Sequence, residues 1–162
     1  MQSHDKGNYK RAIADFTEAI KLNPADGDFY FNRGSSFDEF KQYEKVIVDY
    51  NIAINLKPME TDYYYNRGIS YNKKGEYEKA IADYTTAMEL NSTDADFYFN
   101  RANSYDNYGN FAQAVEDYSK SIELNSEDAD AYFYRSEMYK KLGDRERAKA
   151  DYKKYKELNR KP

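Results

Sequence analysis

The chain has 162 residues, a third of them charged, with a formal net charge of −4 and no cysteine, which excludes disulfides, thiolate metal sites and a cysteine nucleophile. No apolar run approaches the roughly 18 residues of a membrane span, and the opening residues lack the basic-then-apolar layout of a signal peptide. Net acidity without a basic face argues against nucleic acid as a partner.

A mean hydropathy of −1.09 leans toward disorder. Nineteen tyrosines and nine phenylalanines counter that reading, because an aromatic ring buries well even where a hydropathy scale scores it as polar.

Residues at helical spacing predict nine helices. The first, 9–22, ends at Leu22-Asn23-Pro24, where the proline cannot continue a helix. Eight residues precede it, too few for a partner helix. The chain therefore reads as a piece of a longer array or of a larger protein, with Ile13, Phe16 and Ile20 uncovered and His4 in a frayed start. Helices 28–40 and 44–56 follow, then 62–74 and 78–90, 96–108 and 112–124, and 130–142 and 146–158. Within 62–74, Tyr64, Arg67, Gly68 and Tyr71 share a face; Gly75-Glu76 supplies the turn; Tyr77, Ala80, Ile81, Tyr84, Ala87 and Met88 form the next stripe. In the last helix Arg145, Lys149, Tyr155 and Lys156 replace Tyr77, Ile81, Ala87 and Met88, a charged face that is expected to end the array.

The hairpins repeat. Arg33, Arg67, Arg101 and Arg135 are each 34 residues apart, as are Tyr30, Tyr64, Tyr98 and Tyr132. Asp15, Asp49, Asp83, Asp117 and Asp151 keep the same step, and so do Leu22, Leu56, Leu90, Leu124 and Leu158. A fixed period of this size marks a solenoid. Gly34 is expected to face Val46, Gly68 Ala80, Ala102 Ala114 and Ser136 Ala148, small against larger as a close-packed interior requires.

An aromatic, a small residue and Tyr in the first helix, Ala–aromatic–Ala in the second and a Pro-bearing link resemble the tetratricopeptide repeat over nearly the whole chain. The resemblance implies an all-α, right-handed α-solenoid of antiparallel hairpins: a single domain over 1–162, with a half repeat at 9–26 and repeats at 27–60, 61–94, 95–128 and 129–162. It also implies a scaffold for a protein or peptide, without a cofactor, whose groove is lined by given first-helix positions. The second is Asp28, Asp62, Asp96 and Asp130; the fifth is Phe31, Tyr65, Phe99 and Phe133. The sixth is Asn32, Asn66, Asn100 and Tyr134; the ninth is Ser35, Ile69, Asn103 and Glu137; the twelfth is Asp38, Asn72, Asp106 and Lys140.

An amide side chain both donates and accepts, so a row of asparagines fits the backbone of an extended peptide without reading its sequence. The competing reading is that these amides cap helix ends or face water. With Glu39, Lys73 and Lys141 added, the groove positions carry eight acids against three bases, a balance suited to a ligand with Lys or Arg among apolar residues. The family's clamp for a chaperone's terminal carboxylate does not fit, because the fifth position is aromatic and the second always Asp. The second-position aspartates also suit the first helical turn. The pairs Asp26/Asp28, Asp94/Asp96 and Asp128/Asp130 read as caps, since they lack a calcium loop.

The recurring arginines and aspartates read as an ion-pair ladder, not a phosphate site. His4 has no nucleophile to activate, and no singular acid–base pair stands out, so no catalytic residue is expected. Two alternatives to a peptide-binding scaffold remain: a module that self-assembles through its open first helix, or the recognition arm of a larger enzyme. The absence of a signal or membrane segment in these residues favours the cytoplasm without fixing the compartment.

Overall fold

The structure, a computed structural model, describes residues 3–91 and 93–160. Among them the chain forms nine helices: α1 (Ser3–Leu22), α2 (Gly27–Asp38), α3 (Tyr43–Leu56), α4 (Thr61–Lys74), α5 (Tyr77–Leu90), α6 (Ala95–Tyr108), α7 (Phe111–Leu124), α8 (Ala129–Lys141) and α9 (Arg145–Leu158). The fold is all-α, as expected. Eight of the helices begin and end within two residues of the positions read from periodicity. The exception is α1, which begins at Ser3 and not at residue 9. His4 therefore stands in a helical backbone and not in a frayed start; its side chain, and residues Met1 and Gln2, lie outside those described.

The chain divides into two compact units, one ending at Glu76 and the other beginning at Tyr77. In the first, α1 packs on α2, α2 on α3 and α3 on α4; in the second, each helix from α5 to α9 packs on the next.

The helix ends follow local chemistry. The Asp26 carboxylate accepts from the Asp28 amide at 3.0 Å, Asp94 from Asp96 at 2.9 Å, and Asp128 from Asp130 at 3.0 Å. The aspartate pairs are thus caps, each satisfying an amide that the first turn leaves without a helical partner. Gly75, Gly109 and Gly143 take left-handed φ of 82°, 91° and 82° in the turns of their hairpins. The matching residue of the first hairpin is Lys41, at φ 55°.

Small residues admit rings. A Cβ at Gly34 would lie 2.7 Å from the Tyr50 ring. The expected partner Val46 is buried, but Tyr50 and Asp49 supply the nearest atoms. The first unit buries Tyr30, Ala53, Ile54 and Tyr63 together; the second buries Ala102, Ala114, Tyr118 and Met138.

The ion-pair ladder is present. Arg33 donates through Nε and Nη2 to Asp49 at 2.8 and 2.7 Å, Arg101 to Asp117 at 2.7 and 2.8 Å, and Arg135 to Asp151 at 2.7 and 2.8 Å. In these pairs the arginine side chains are at most 18% exposed and the aspartates at most 10%. Each arginine also donates through Nη1 to the second helix of the preceding hairpin: Arg33 to Thr17, Arg67 to Asn51, Arg101 to Thr85 and Arg135 to Ser119. These acceptors form a further row at the 34-residue step, one that the sequence hides because small polar residues inside a helix carry no periodic apolar signal.

Candidate functional site

In the first unit the candidate positions lie on α2 and α4, which side chains tie together at both ends. Near their N-termini the Tyr63 hydroxyl and the Lys57 ammonium both donate to Asp28. Those donors hold the Asp28 carboxyl below its usual range, Lys57 contributing most. Near their C-termini Lys73 meets Asp38 at 2.5 Å. Between these ties Phe31 stacks on Tyr63 at 4.8 Å and on Tyr50 at 5.2 Å. Burial pushes the Tyr50 hydroxyl up to about 12, and it shares a 3.0 Å hydrogen bond with Ser35.

The second unit repeats the scheme on α6 and α8. Phe99 meets Tyr118 at 5.6 Å and Tyr134 at 5.8 Å, both edge-on, and Lys141 donates to Asp106. The Tyr118 hydroxyl donates to Asn103 Oδ1 at 2.6 Å, and burial drives its titration well above the ordinary phenol value. Thus the fifth-position rings and Asn103 are half-buried and already engaged, whereas Asp62 and Asp96 are exposed.

The asparagines behave alike. Asn32 Nδ2 donates to the Asp28 carbonyl at 2.7 Å, Asn66 to Asp62 at 2.8 Å and Asn100 to Asp96 at 2.9 Å. Each amide therefore bonds back onto its own helix four residues earlier, which differs from both the capping and the purely solvated readings. Asn32 is exposed; Asn66 and Asn100 are half-exposed. Tyr65 and Ile69 are half-buried beside Asn66 on α4.

All three bases at these positions are spent on pairs, which leaves five of the eight acids. Lys73, Lys141 and Lys140 are matched to Asp38, Asp106 and Glu137. Although Asp96 is exposed as a residue, partial desolvation of its carboxyl raises it above the ordinary carboxylate value, and the nearby Asp94 and Asp128 carboxylates raise it further. Among the described residues no group of three or more His, Cys, Asp or Glu is placed to hold a metal, and no helix is long and apolar enough to cross a membrane.

Tandem helical hairpins with interlocking polar rungs define an α-helical repeat scaffold. The chain belongs to the tetratricopeptide repeat family: family models of the tetratricopeptide repeat match residues 61–94, 95–128 and 129–162, and a TPR repeat model matches 3–37. No curated protein matches the sequence. Among solved structures, a MamA crystal structure superposes with a TM-score of 0.92 at 24% identity, covering 98% of this chain and 95% of that one. MamA from Desulfovibrio magneticus RS-1 gives 0.91 at 18% identity, covering 96% and 88%. YrrB, described as a TPR protein with an unusual peptide-binding site, gives 0.84 at 21% identity, covering 94% and 78%. At these identities the likeness is one of fold.

Proposed function

We propose that this chain is a protein-interaction scaffold that binds an extended peptide or partner segment along the first-helix faces of its repeats, in the register 27–60, 61–94, 95–128 and 129–162, without catalysing a reaction. The observation that carries the reading is the repeated Asn32, Asn66 and Asn100 geometry. Each amide is held at a fixed height on its helix by one bond to a backbone carbonyl. Asn32 and Asn66, so held, still have a second N–H and a two-lone-pair oxygen to offer, while Asn100 has a further interaction of its own. On the same helices Phe31, Tyr65 and Phe99 are half-buried, and Asp62 and Asp96 are exposed. A segment with Lys or Arg among apolar residues matches that combination. Peptide binding by YrrB, a structural neighbour, is consistent with the same use of the fold.

The test is a display selection of short random peptides against the chain, followed by titration of the winners into Asn66→Ala with Asn100→Ala. Each lost amide–peptide pairing removes about 1 kcal/mol, so the double substitution weakens binding about tenfold or more. Helicity does not fall, because Ala is the better helix former. Winners that bind both proteins equally would remove the asparagines from the site.

A second reading, self-association through α1, is favoured by Asp15. Its counterparts Asp49, Asp117 and Asp151 each hold an arginine fork, whereas Asp15 is exposed. Leu22 on the same helix is 88% exposed, although Ile13, Phe16 and Ile20 are half-buried and not uncovered. Light scattering against concentration decides this reading: a constant mass ends it.

A further inference from the structure

The outer face of α9 breaks the repeat in one chemical direction. Where earlier second helices carry Tyr43, Tyr77 and Phe111, α9 carries Arg145; where they carry Ile47, Ile81 and Val115, it carries Lys149; where they carry Ile54, Met88 and Ile122, it carries Lys156. All three apolar rows turn cationic together. A face that served solubility alone has no need of a single sign.

The aromatic row does not turn. Tyr152 keeps the ring of Tyr50, Tyr84 and Tyr118, but is 36% exposed while those three are at most 2% exposed. The Lys156 ammonium sits 4.5 Å and the Lys140 ammonium 5.4 Å from the Tyr152 ring centroid, and Tyr155 stacks on the same ring at 5.7 Å. A cleft of about 220 Å³ opens here, lined by Lys140, Arg145, Ala148, Lys149 and Tyr152. Lys140 is paired with Glu137, and Lys149 reaches Glu146 only at 3.9 Å. Arg145 and Lys156 have no carboxylate partner among the described residues.

We infer that this α8–α9 face is a second interaction surface, centred on α9 and sharing only Lys140 with the first-helix positions, and that it takes an acidic amphipathic protein segment. An apolar side chain of the segment fills the cleft against Tyr152 and Ala148, and its carboxylates meet Arg145, Lys149 and Lys156. The apolar floor is what singles out a protein segment: a polyphosphate or a lipid headgroup would use the cations and leave the ring idle.

The experiment measures binding of the full 162-residue chain to four probes. They are a glutamate peptide with leucine at helical spacing, polyglutamate of equal length, phosphatidylserine vesicles and single-stranded oligothymidine. The leucine-bearing peptide binds most tightly, more weakly as salt rises, and loses about tenfold or more in affinity in Arg145→Glu with Lys149→Glu and in Tyr152→Ala. Lys156→Gln, a milder change at an exposed site, weakens it to a smaller extent. Asn66→Ala with Asn100→Ala leaves it unchanged, which separates this surface from the proposed peptide site. The inference is overturned if polyglutamate binds as well as the leucine-bearing peptide, if only vesicles or oligothymidine bind, or if the α9 variants bind like the parent. It is equally overturned if the chain self-associates without any probe and the charge variants abolish that association, since the occupant would then be a second copy.

Discussion

The arginine that recurs every 34 residues uses its nitrogens on two neighbours. In Arg101, Nε and Nη2 grip Asp117 on α7, while Nη1 reaches Thr85 on α5. One side chain thus ties three helices of the second unit. Because Asp117 is buried, Arg101→Leu strands a carboxylate and lowers stability by about 3 kcal/mol, whereas Arg101→Leu with Asp117→Leu recovers much of the loss. Urea denaturation of both variants checks this, and peptide affinity per folded molecule stays the same. The Arg–Asp rows were legible because both charges repeat at one step. The Thr17–Asn51–Thr85–Ser119 row has the same step but changes residue type, so only the structure reveals it as the acceptor for Nη1. The back-bonding of the asparagines was equally hidden, since an i−4 carbonyl is present behind every helical residue. Asp96 offers a pH test. Partial desolvation and its acidic neighbours raise its folded value above the usual 3.8, so protonation favours the folded state. That contribution is complete below the ordinary value and is lost as pH rises through the folded one. Asp96→Asn therefore raises the urea midpoint at neutral pH and leaves it nearly unchanged in strong acid; an equal gain at both pH values would contradict the assignment.

At the scale of the element, caps and turns decide where helices stop. The 34-residue period located all nine helices, because an apolar stripe ended by Pro or Gly is visible without a structure. It missed the first six residues of α1, whose polar sequence has no stripe to detect. It also placed the end of α2 at residue 40, where Asp38 is the last helical residue. The difference lies in the turn: Lys41 adopts φ 55° where Gly75, Gly109 and Gly143 occupy the same step. A side chain in the left-handed region costs about 1 kcal/mol that glycine avoids. Lys41→Gly accordingly stabilises the chain by about 1 kcal/mol, and Gly109→Ala destabilises it by a similar amount. Thermal or chemical melts of the two variants should move in opposite directions; movement in the same direction would show that the turn's strain lies elsewhere.

At the scale of the whole molecule, the family and the all-α fold were readable from one repeated unit, because each hairpin is too small to bury its faces without its neighbours. The identity of the ligand is less legible. It depends on whether a few amides and rings are free or spent, and Asn103 and Phe99 proved to be engaged with Tyr118. The account rests on Asn32, Asn66 and Asn100 meeting a bound peptide. Side-chain amide NMR of the labelled chain tests it most directly, by titration with a peptide obtained from the display selection. The account predicts that the Nδ2 resonances of these three asparagines shift together, with those of Asn23 and Asn91 in the inter-repeat links unmoved. Saturating peptide that leaves the three resonances in place would contradict it.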